Sequence, residues 1–196
     1  MFHPPTNEQI VRQWDITPDW ALFLDRDGVI NADMGSIYVK GLEQFTFIDK
    51  VPESIARLRQ YFSRMIVVTN QQGIGKGLVT HQEVQSLFIH IQNTLAPLGG
   101  SIDAFYYCPH LAVVHCLCRK PRIGMALQAR IDFPDIDYTK AVIVGDRATD
   151  IEFGKKLGMK TVFVTNNEPL LPKQIPPADI ICANLPEFTQ LLIEAI

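Results

Sequence analysis

The sequence lacks any long apolar run and any marked excess of one charge. No apolar segment approaches the roughly 18 residues that a membrane-spanning helix needs. Eighteen Lys and Arg residues stand against 21 Asp and Glu residues, for a net charge of −3. Because a phosphodiester backbone binds to basic surfaces, this balance argues against a nucleic-acid partner and favours a small molecule.

Targeting signals and repeats are also missing. The opening residues, MFHPPTNEQI, contain neither the basic region nor the apolar stretch of a secretory signal. We therefore expect a cytoplasmic protein with no membrane partner. No internal repeat, low-complexity tract or long linker divides the chain, so residues 1–196 are predicted to form one domain. We expect a monomer.

Short apolar runs alternate with amphipathic stretches, and 47% of the residues are apolar. That content excludes intrinsic disorder. The alternation is typical of a parallel sheet covered by helices, so the predicted fold is α/β, a Rossmann-like three-layer sandwich. Strands are predicted at 21–24, 65–69, 103–107, 141–144, 161–164 and near Ile180, and helices from Pro52, from Thr80, at 124–131, at 149–157 and at 186–194.

Carboxylates follow two of these strands directly. Asp25 and Asp27 come after the first strand, and Asp146 comes after the fourth. In an open parallel sheet these ends face one ligand site. Because converging carboxylates repel each other, the site needs a proton or a cation, and oxygen ligands suit a hard divalent ion, above all Mg²⁺.

The first two carboxylates suggest a catalytic pair. Asp25 is the exposed first residue after an apolar strand, where it could attack phosphorus and form an aspartyl-phosphate. Asp27 points to the same side if the chain stays extended, and could protonate the leaving oxygen and then activate water. Taken alone, however, Asp-Arg-Asp-Gly is better explained as a turn with Asx-type hydrogen bonds.

Donors at other strand ends favour catalysis over the turn. Thr69 and Asn70 offer a hydroxyl and an amide, and Lys120 offers a point charge for a phosphoryl oxygen. Arg119 and Arg147 add fork-shaped donors for sugar or phosphate oxygens. Lys and Arg are usually surface residues, but these lie at different strand ends that should converge.

Four segments, in this order, resemble the motifs of haloacid dehalogenase superfamily phosphatases. They are Phe23–Asn31, Val67–Gln71, Cys118–Pro121 and Val144–Asp150, and the resemblance covers about residues 20–165. It implies a core with a minimal cap and a Mg²⁺-dependent phosphomonoesterase that acts through an aspartyl-phosphate.

The resemblance also implies a role for each matched residue. Asp25 would be the nucleophile and Asp27 the acid and base, and Thr69 and Lys120 would hold the phosphoryl group. The implied Mg²⁺ ligands are the side chains of Asp25 and Asp146 and the backbone carbonyl of Asp27, with Asp150 supporting the metal through a water or a hydrogen bond.

A Cys/His segment at 108–118 predicts a zinc loop. Cys108 with His110, and Cys116 with Cys118, form two ligand pairs, each spaced i, i+2. Four protein ligands close a tetrahedral Zn²⁺ shell, so the site would be structural. Buried reduced thiols beside a surface His are the alternative, but three of the four cysteines lie within these eleven residues.

Two details of the cysteines and histidines stay open, and the position of the segment has a consequence for catalysis. His115 competes with His110 as a ligand, and Cys182 has no assigned role. Since Arg119 and Lys120 follow Cys118 without a gap, an ordered zinc loop would position the phosphate-binding lysine.

The Cys/His pattern resembles two groups within the superfamily. They are the D-glycero-D-manno-heptose 1,7-bisphosphate phosphatases and the phosphatase domain of histidinol-phosphate phosphatases. Asn31, Tyr106–His110 and Lys120–Met125 favour the heptose group, whereas the His110-to-Cys116 spacer and Gly145–Ile151 favour the histidinol group. We favour removal of the 7-phosphate of the heptose bisphosphate.

The expected substrate is thus a small phosphorylated metabolite. Its second phosphate would be met by Arg119, Arg147 or the loop 33–36, and Gln71 and Gln72 are expected to contact substrate by family analogy. The predicted substrate-binding residues are Asp33, Gly35, Ser36, Asn70, Gln71, Gln72, Arg119 and Arg147.

Three rival interpretations carry less support. Gly73–Gly77 fits neither of the common nucleotide-binding patterns and is expected to be a mobile loop at the mouth of the site. In a non-enzymatic, zinc-stabilised binding module, the acidic loops would only recruit a partner and would have no catalytic role. A nucleic-acid 3′-end phosphatase conflicts with the acidic net charge.

Overall fold

A computed structural model describes residues 4–33, 35, 39–168, 173 and 175–196. In this part of the chain, six parallel strands form one sheet in the order β3-β2-β1-β4-β5-β6. The strands are β1 (Ala21–Leu24), β2 (Arg64–Asn70), β3 (Ala104–Cys108), β4 (Ala141–Gly145), β5 (Lys160–Val164) and β6 (Ile180–Cys182).

Helices cover both faces of the sheet. They are α1 (Asn7–Arg12), α2 (Val51–Leu58), α3 (Gln72–Gly75), α4 (His81–Leu95), α5 (Gly124–Asp132), α6 (Ala148–Leu157) and α7 (Leu185–Ala195). Side chains on a strand alternate between its two faces. Leu22 and Leu24 accordingly join the core under α1, α2, α4 and α7, while Ala21 and Phe23 join the core under α5 and α6.

This architecture confirms the predicted three-layer α/β fold. Local signals account for the accurate helix bounds. Thr80 and Glu83 form the expected capping box of α4, and Gly158 ends α6 with φ of 76°. Helix α2 begins one residue before Pro52, a position where the missing N–H of proline has no cost.

Two short helices were not predicted. Helix α1 has only six residues, too few for a periodic pattern, although Thr6 and Gln9 form a capping box that the sequence could have revealed. Helix α3 contains two glycines, which disfavour a helix, but the N–H of Gly75 donates to the carbonyl of Pro109 at 2.9 Å. The expected mobile loop therefore begins as a helical turn tied to the Cys/His segment.

The pairing of β1 with both β2 and β4 brings the ends of the central strands side by side. Leu24, the last residue of β1, is in register with Val67 and with Val144. Just beyond it, the N–H of Asp25 donates to the carbonyl of Val144 at 3.0 Å. The loops after β1, β2 and β4 consequently meet at one edge of the sheet.

No helix in the described ranges combines the length and the apolar character that crossing a bilayer requires.

Candidate active site

A cavity of about 240 Å³ opens at the carboxyl ends of the strands. All four residues predicted to be catalytic line it, as do all the described residues predicted to bind substrate. Ser36 lies outside the described residues. The lining side chains are those of Asp25, Arg26, Asp27, Asp33, Val39, Thr69, Asn70, Gln71, Gln72, Arg119, Lys120, Arg147, Ala148 and Thr149, with Gly35 at the rim.

Asp25 was expected to be exposed, but it is almost completely buried, with 6% of its surface exposed, because it follows directly on the central strand β1. Its Oδ1 lies 3.0 Å from Nζ of Lys120 and accepts the N–H of Arg26 at 2.7 Å. Burial, opposed by the Lys120 charge and reinforced by Asp150 and Asp27, raises the pKa of Asp25 to about 6. The carboxylate is therefore poorly solvated and held at a defined angle, as a nucleophile requires.

Lys120 is buried between two carboxylates. Its Nζ lies 3.0 Å from Asp25 and 2.5 Å from Asp150, and donates to the carbonyl of Val68 at 2.7 Å. Burial alone would lower the pKa of the ammonium group, but Asp150 and Asp25 hold it above its usual value. Lys120 is thus a fixed positive charge beside the candidate nucleophile.

Asn70 holds the backbone of Lys120 rather than facing the cavity freely. Its Oδ1 accepts the N–H of Lys120 at 3.0 Å, and its Nδ2 donates to the carbonyl of the same residue at 3.2 Å. This pair of hydrogen bonds connects the end of β2 to the Cys/His segment. The side-chain amide predicted to bind substrate is therefore engaged within the protein.

We expect Lys120→Met to lower both turnover and stability. Only 2% of Lys120 is exposed, so removing its charge leaves Asp25 and Asp150 buried without their common partner. Breaking one side of a buried ion pair costs about 3–5 kcal/mol. Guanidinium unfolding and phosphate release should both show the loss.

Lys140→Met is the matched control, because Lys140 pairs with Asp19 at 2.6 Å on an exposed surface. Solvent screens such a pair, so the unfolding midpoint and the turnover of this variant should stay near those of the unchanged chain. Equal stability of the two variants would contradict a structural charge at Lys120.

Asp27 accepts hydrogen bonds at both carboxylate oxygens. Oδ2 accepts hydrogen bonds from Nε and Nη2 of Arg26 at 3.2 and 2.7 Å and from Nε2 of Gln71 at 2.8 Å. Among the described residues, Oδ1 accepts only from Nδ2 of Asn31, at 3.0 Å. Burial raises the pKa of Asp27, but the Arg26 charge and these donors outweigh it, so its pKa is lowered. Asp25 and Asp27 therefore have pKa values shifted in opposite directions.

Asp146 completes a carboxylate cluster that fits a divalent cation. One oxygen each from Asp25, Asp146 and Asp150 lie within 4.8 Å of one another. Oδ1 of Asp146 is buried and has no hydrogen-bond partner among the described residues. Burial and the charges of Asp25 and Asp150 raise the pKa of Asp146 to about 8, so a hard cation would relieve both the repulsion and the unpaired oxygen.

Asp150 belongs to this carboxylate cluster and is fully buried. Its Oδ2 accepts the N–H of Arg147 at 3.0 Å, at the start of α6, and its Oδ1 pairs with Lys120. The described contacts of this carboxylate are with Arg147 and Lys120, and support of the metal through a water or a hydrogen bond stays a prediction.

Because Gly28 has no side chain, the carboxylate of Asp146 can pack directly against its backbone. Its φ is +80°, and a Cβ at this position would collide with the carboxylate of Asp146. We expect Gly28→Ala to raise the Mg²⁺ concentration for half-maximal phosphate release roughly tenfold or more, as disturbed metal surroundings typically do.

Gly99→Ala separates this collision from backbone strain. Gly99 has a similar φ of +77°, but a Cβ added there would meet no atom of the described residues within 4 Å. It should lose comparable stability from the left-handed conformation while its Mg²⁺ requirement stays unchanged. A matching shift in both variants would rule out a local effect on Asp146.

Arginines and an acid line the outer part of the cavity. Nη2 of Arg147 lies 2.7 Å from Oδ2 of Asp33, whose Oδ1 accepts the N–H of Gly35 at 2.9 Å. Nη1 of Arg119 is buried without a hydrogen-bond partner in the described part of the chain. An unpaired guanidinium donor of this kind favours an anionic ligand.

The Cys/His segment brings its four predicted ligands together. Ligand atoms of Cys108, His110, Cys116 and Cys118 lie within 4.8 Å of one another, a donor set suited to Zn²⁺. Burial opposes thiolate formation, but donation from Cys118 and Cys108 lowers the pKa of Cys116 to about 6. His115 is outside this cluster.

Sequence reasoning missed two buried residues of the site. Arg26 has 2% of its surface exposed, and its side chain turns inward to Asp27 and Gln71. From the sequence it was considered only as part of the possible Asp-Arg-Asp-Gly turn. Asn31 is fully buried and donates to Asp27. The available signal was their position, because Arg26 stands between Asp25 and Asp27 and Asn31 follows four residues after Asp27.

Comparisons with known proteins point in one direction. The family described as HAD-hydrolase-like matches residues 117–188. The D-glycero-alpha-D-manno-heptose-1,7-bisphosphate 7-phosphatase of Mycobacterium tuberculosis H37Rv is 41% identical over 133 residues, which cover 68% of this chain and 70% of the relative. The corresponding beta-heptose enzyme of Escherichia coli K12 is 35% identical over 180 residues, 88% of this chain and 93% of the relative.

A solved structure extends the similarity to the whole fold. The D,D-heptose 1,7-bisphosphate phosphatase of B. bronchiseptica, complexed with magnesium and phosphate, matches with a TM-score of 0.77 and 28% identity. The match covers 90% of this chain and 99% of that one.

Proposed function

Because the chain belongs to the HAD-like phosphatases, a family of phosphoric monoester hydrolases, we propose that it removes the 7-phosphate of D-glycero-D-manno-heptose 1,7-bisphosphate. The relatives of 35–41% identity bear the name of that activity. The observation that best supports it in this chain is the convergence of Asp25, Asp27, Thr69 and Lys120 on one cavity.

Asp25 attacks phosphorus in the first step. An oxygen of its carboxylate forms a bond to phosphorus as the bond to the sugar oxygen breaks, which leaves an aspartyl-phosphate. Thr69 donates its hydroxyl to a phosphoryl oxygen, and Lys120 offers its charge to the same group. Because both are buried and fixed, they bind the transferring group without reorganising.

Asp27 handles the proton in both steps, and we assign that proton to Oδ1. In the part of the chain that the structure describes, three donors occupy Oδ2, whereas Oδ1 accepts only one. The neighbours of Asp27 lower its pKa, so the reaction begins from the minor form that is protonated at Oδ1. That form gives its proton to the leaving sugar oxygen, and the resulting carboxylate takes a proton from the water that hydrolyses the aspartyl-phosphate. Inorganic phosphate and regenerated Asp25 are the result.

Asp25 and Asp146 would hold Mg²⁺ through their side chains, and Asp27 through its backbone carbonyl. When bound, this ion supplies positive charge that lets the anionic nucleophile approach the anionic phosphate. Cys108, His110, Cys116 and Cys118 would hold a structural Zn²⁺, which orders the segment leading into Arg119 and Lys120.

The second phosphate of the substrate supplies a reason for the outer arginines. Arg119 has an unpaired buried donor among the described residues, and Arg147 can exchange its pairing with Asp33 for a phosphate. Asp33, once released from Arg147, can accept a hydrogen bond from a hydroxyl of the sugar.

Side-by-side hydrolysis tests the proposal. The alpha and beta anomers of heptose 1,7-bisphosphate, histidinol phosphate and a 3′-phosphorylated oligonucleotide would be compared at equal Mg²⁺. We expect the highest kcat/KM for a heptose bisphosphate, with the 1-phosphate retained. A higher kcat/KM for histidinol phosphate would replace the proposed substrate, and no Mg²⁺-dependent release from any ester would overturn the enzymatic function.

A further inference from the structure

The side-chain amide of Gln71 is fully used inside the protein. Its Nε2 donates to Oδ2 of Asp27 at 2.8 Å and to Oγ1 of Thr69 at 2.8 Å, and its Oε1 accepts from Nη2 of Arg26 at 2.9 Å. An amide has two donor hydrogens, and both are engaged here. With 6% of its surface exposed, Gln71 has no donor left for a substrate.

The chemistry of its neighbours determines which way the amide points. The guanidinium of Arg26 can only donate, so the carbonyl oxygen of Gln71 must face it. The NH₂ group then necessarily faces the carboxylate of Asp27, which can only accept when it is ionised. The reversed amide would set donor against donor and acceptor against acceptor.

This orientation has a consequence for Thr69. A hydroxyl has one hydrogen, and its direction depends on the neighbouring donors and acceptors. Because Oγ1 of Thr69 accepts a hydrogen bond from Gln71, its own hydrogen remains available for a group in the cavity. Gln71 thereby leaves Thr69 as a donor, the role that a phosphoryl oxygen requires.

The same amide restrains Asp27. Together with Nε and Nη2 of Arg26, it occupies Oδ2, so the carboxylate cannot rotate without breaking three hydrogen bonds. Oδ1, which has Asn31 as its single donor within the described ranges, then remains the oxygen that can take a further partner. Gln71 therefore connects the acid–base group with the phosphoryl-binding hydroxyl.

We propose that Gln71, supported by Arg26, is a positioning residue that orients Asp27 and Thr69, rather than a residue that contacts substrate. This inference rests on the proposed function, because it assigns Gln71 to the two groups that would transfer the proton and bind the phosphoryl oxygen.

Gln71→Met tests the proposal, since Met has a similar volume and no strong donor. For heptose bisphosphate, kcat/KM should fall about 100-fold through kcat, at the lower end of the effects of acid–base groups, while KM changes less than about threefold. Gln71→Glu should lose more, because a carboxylate cannot donate to Thr69 and repels Asp27.

A second substrate separates positioning from a general structural defect. The leaving group of p-nitrophenyl phosphate departs without a proton, so its kcat/KM does not depend on an acid. We expect Gln71→Met to lose only about tenfold on this ester, from the misoriented Thr69. A structural defect would reduce both substrates by the same factor.

Gln72→Met is the matched comparison, because the neighbouring glutamine lines the same cavity. As a predicted substrate contact, it should raise KM for heptose bisphosphate with little change in kcat. The same KM-dominated signature in Gln71→Met, or equal losses on both esters, would overturn the positioning role. An unchanged chain that releases no phosphate from either ester would overturn the proposed function as well.

Discussion

Asp25→Asn should reduce phosphate release from heptose bisphosphate by at least about a thousandfold. The amide has nearly the same shape as the carboxylate, but it cannot form the aspartyl-phosphate. Steady-state phosphate release measures the loss of turnover. Rapid acid quenching with ³²P-labelled substrate measures the intermediate, which should label the unchanged protein and leave the variant unlabelled.

The stability of this variant distinguishes lost chemistry from lost structure. Burial raises the pKa of Asp25 from 3.8 to about 6. Because the folded pKa lies above the unfolded value, ionisation of Asp25 lowers the stability of the fold as the pH rises above 3.8, and the loss is complete above about 6. In Mg²⁺-free buffer at pH 7.5, Asp25→Asn should therefore unfold at a temperature no lower than the unchanged chain.

Asp19→Asn serves as the control, since Asp19 lies on the exposed surface beside Lys140. Its turnover should match that of the unchanged chain. Normal turnover or normal labelling in Asp25→Asn would assign the nucleophile to another group.

Cys116→Ser should lose zinc and stability together. Four-ligand zinc sites contribute on the order of 10 kcal/mol to ordering the peptide around them, and the weaker serine ligand removes part of that energy. A loss of about 4 kcal/mol lowers the midpoint of thermal unfolding by roughly 8–16 °C in a protein of this size. Elemental analysis and calorimetry measure the two effects.

Turnover should fall in the same variant. The segment that carries Cys116 and Cys118 continues directly into Arg119 and Lys120, and Asn70 holds the Lys120 backbone from the other side. Disorder in this segment would weaken the two hydrogen bonds between Asn70 and the Lys120 backbone, and the ammonium group would move from its place beside Asp25. We therefore expect Cys116→Ser to have a lower kcat, which added zinc does not restore.

Cys182→Ser controls for the loss of a thiol. Cys182 is buried on β6, outside the Cys/His cluster, so its replacement costs stability through a buried hydroxyl but leaves zinc content unchanged. Full zinc occupancy in Cys116→Ser would contradict the four-ligand assignment and would bring His115 back as a ligand candidate.

Much of the fold follows from local pattern. The strands are short apolar runs, and capping residues such as Thr80 and Gly158 mark the helix ends within a few residues. Helix α3 shows where local reasoning stops. Its glycines disfavour a helix, and a hydrogen bond from Gly75 to Pro109, distant in the chain, stabilises the turn.

The composition of the site could also be predicted, but its internal connections could not. Asp25, Asp27 and Asp146 follow strands, Thr69 lies near the end of β2, and Lys120 lies in the loop that follows β3. Because these strand ends must meet in a parallel sheet, the proximity of the five residues follows from topology. Asn70 follows the same rule and was expected to bind substrate, and Gln71 was expected to contact substrate by analogy with the resembled family. Their side chains turn to the protein because buried amides must satisfy each donor and acceptor.

The sequence alone thus determined the fold class and the residues that assemble at one sheet edge, because short-range patterns and strand order carry that information. The phosphatase family followed from the resemblance of four sequence motifs to those of a known superfamily. Tertiary structure decided which atoms meet. It turned Arg26 inward, set Gln71 between Asp27 and Thr69, and brought Gly28 against Asp146. Hydrogen-bond partners and close contacts depend on side-chain directions in three dimensions, which spacing along the chain does not specify.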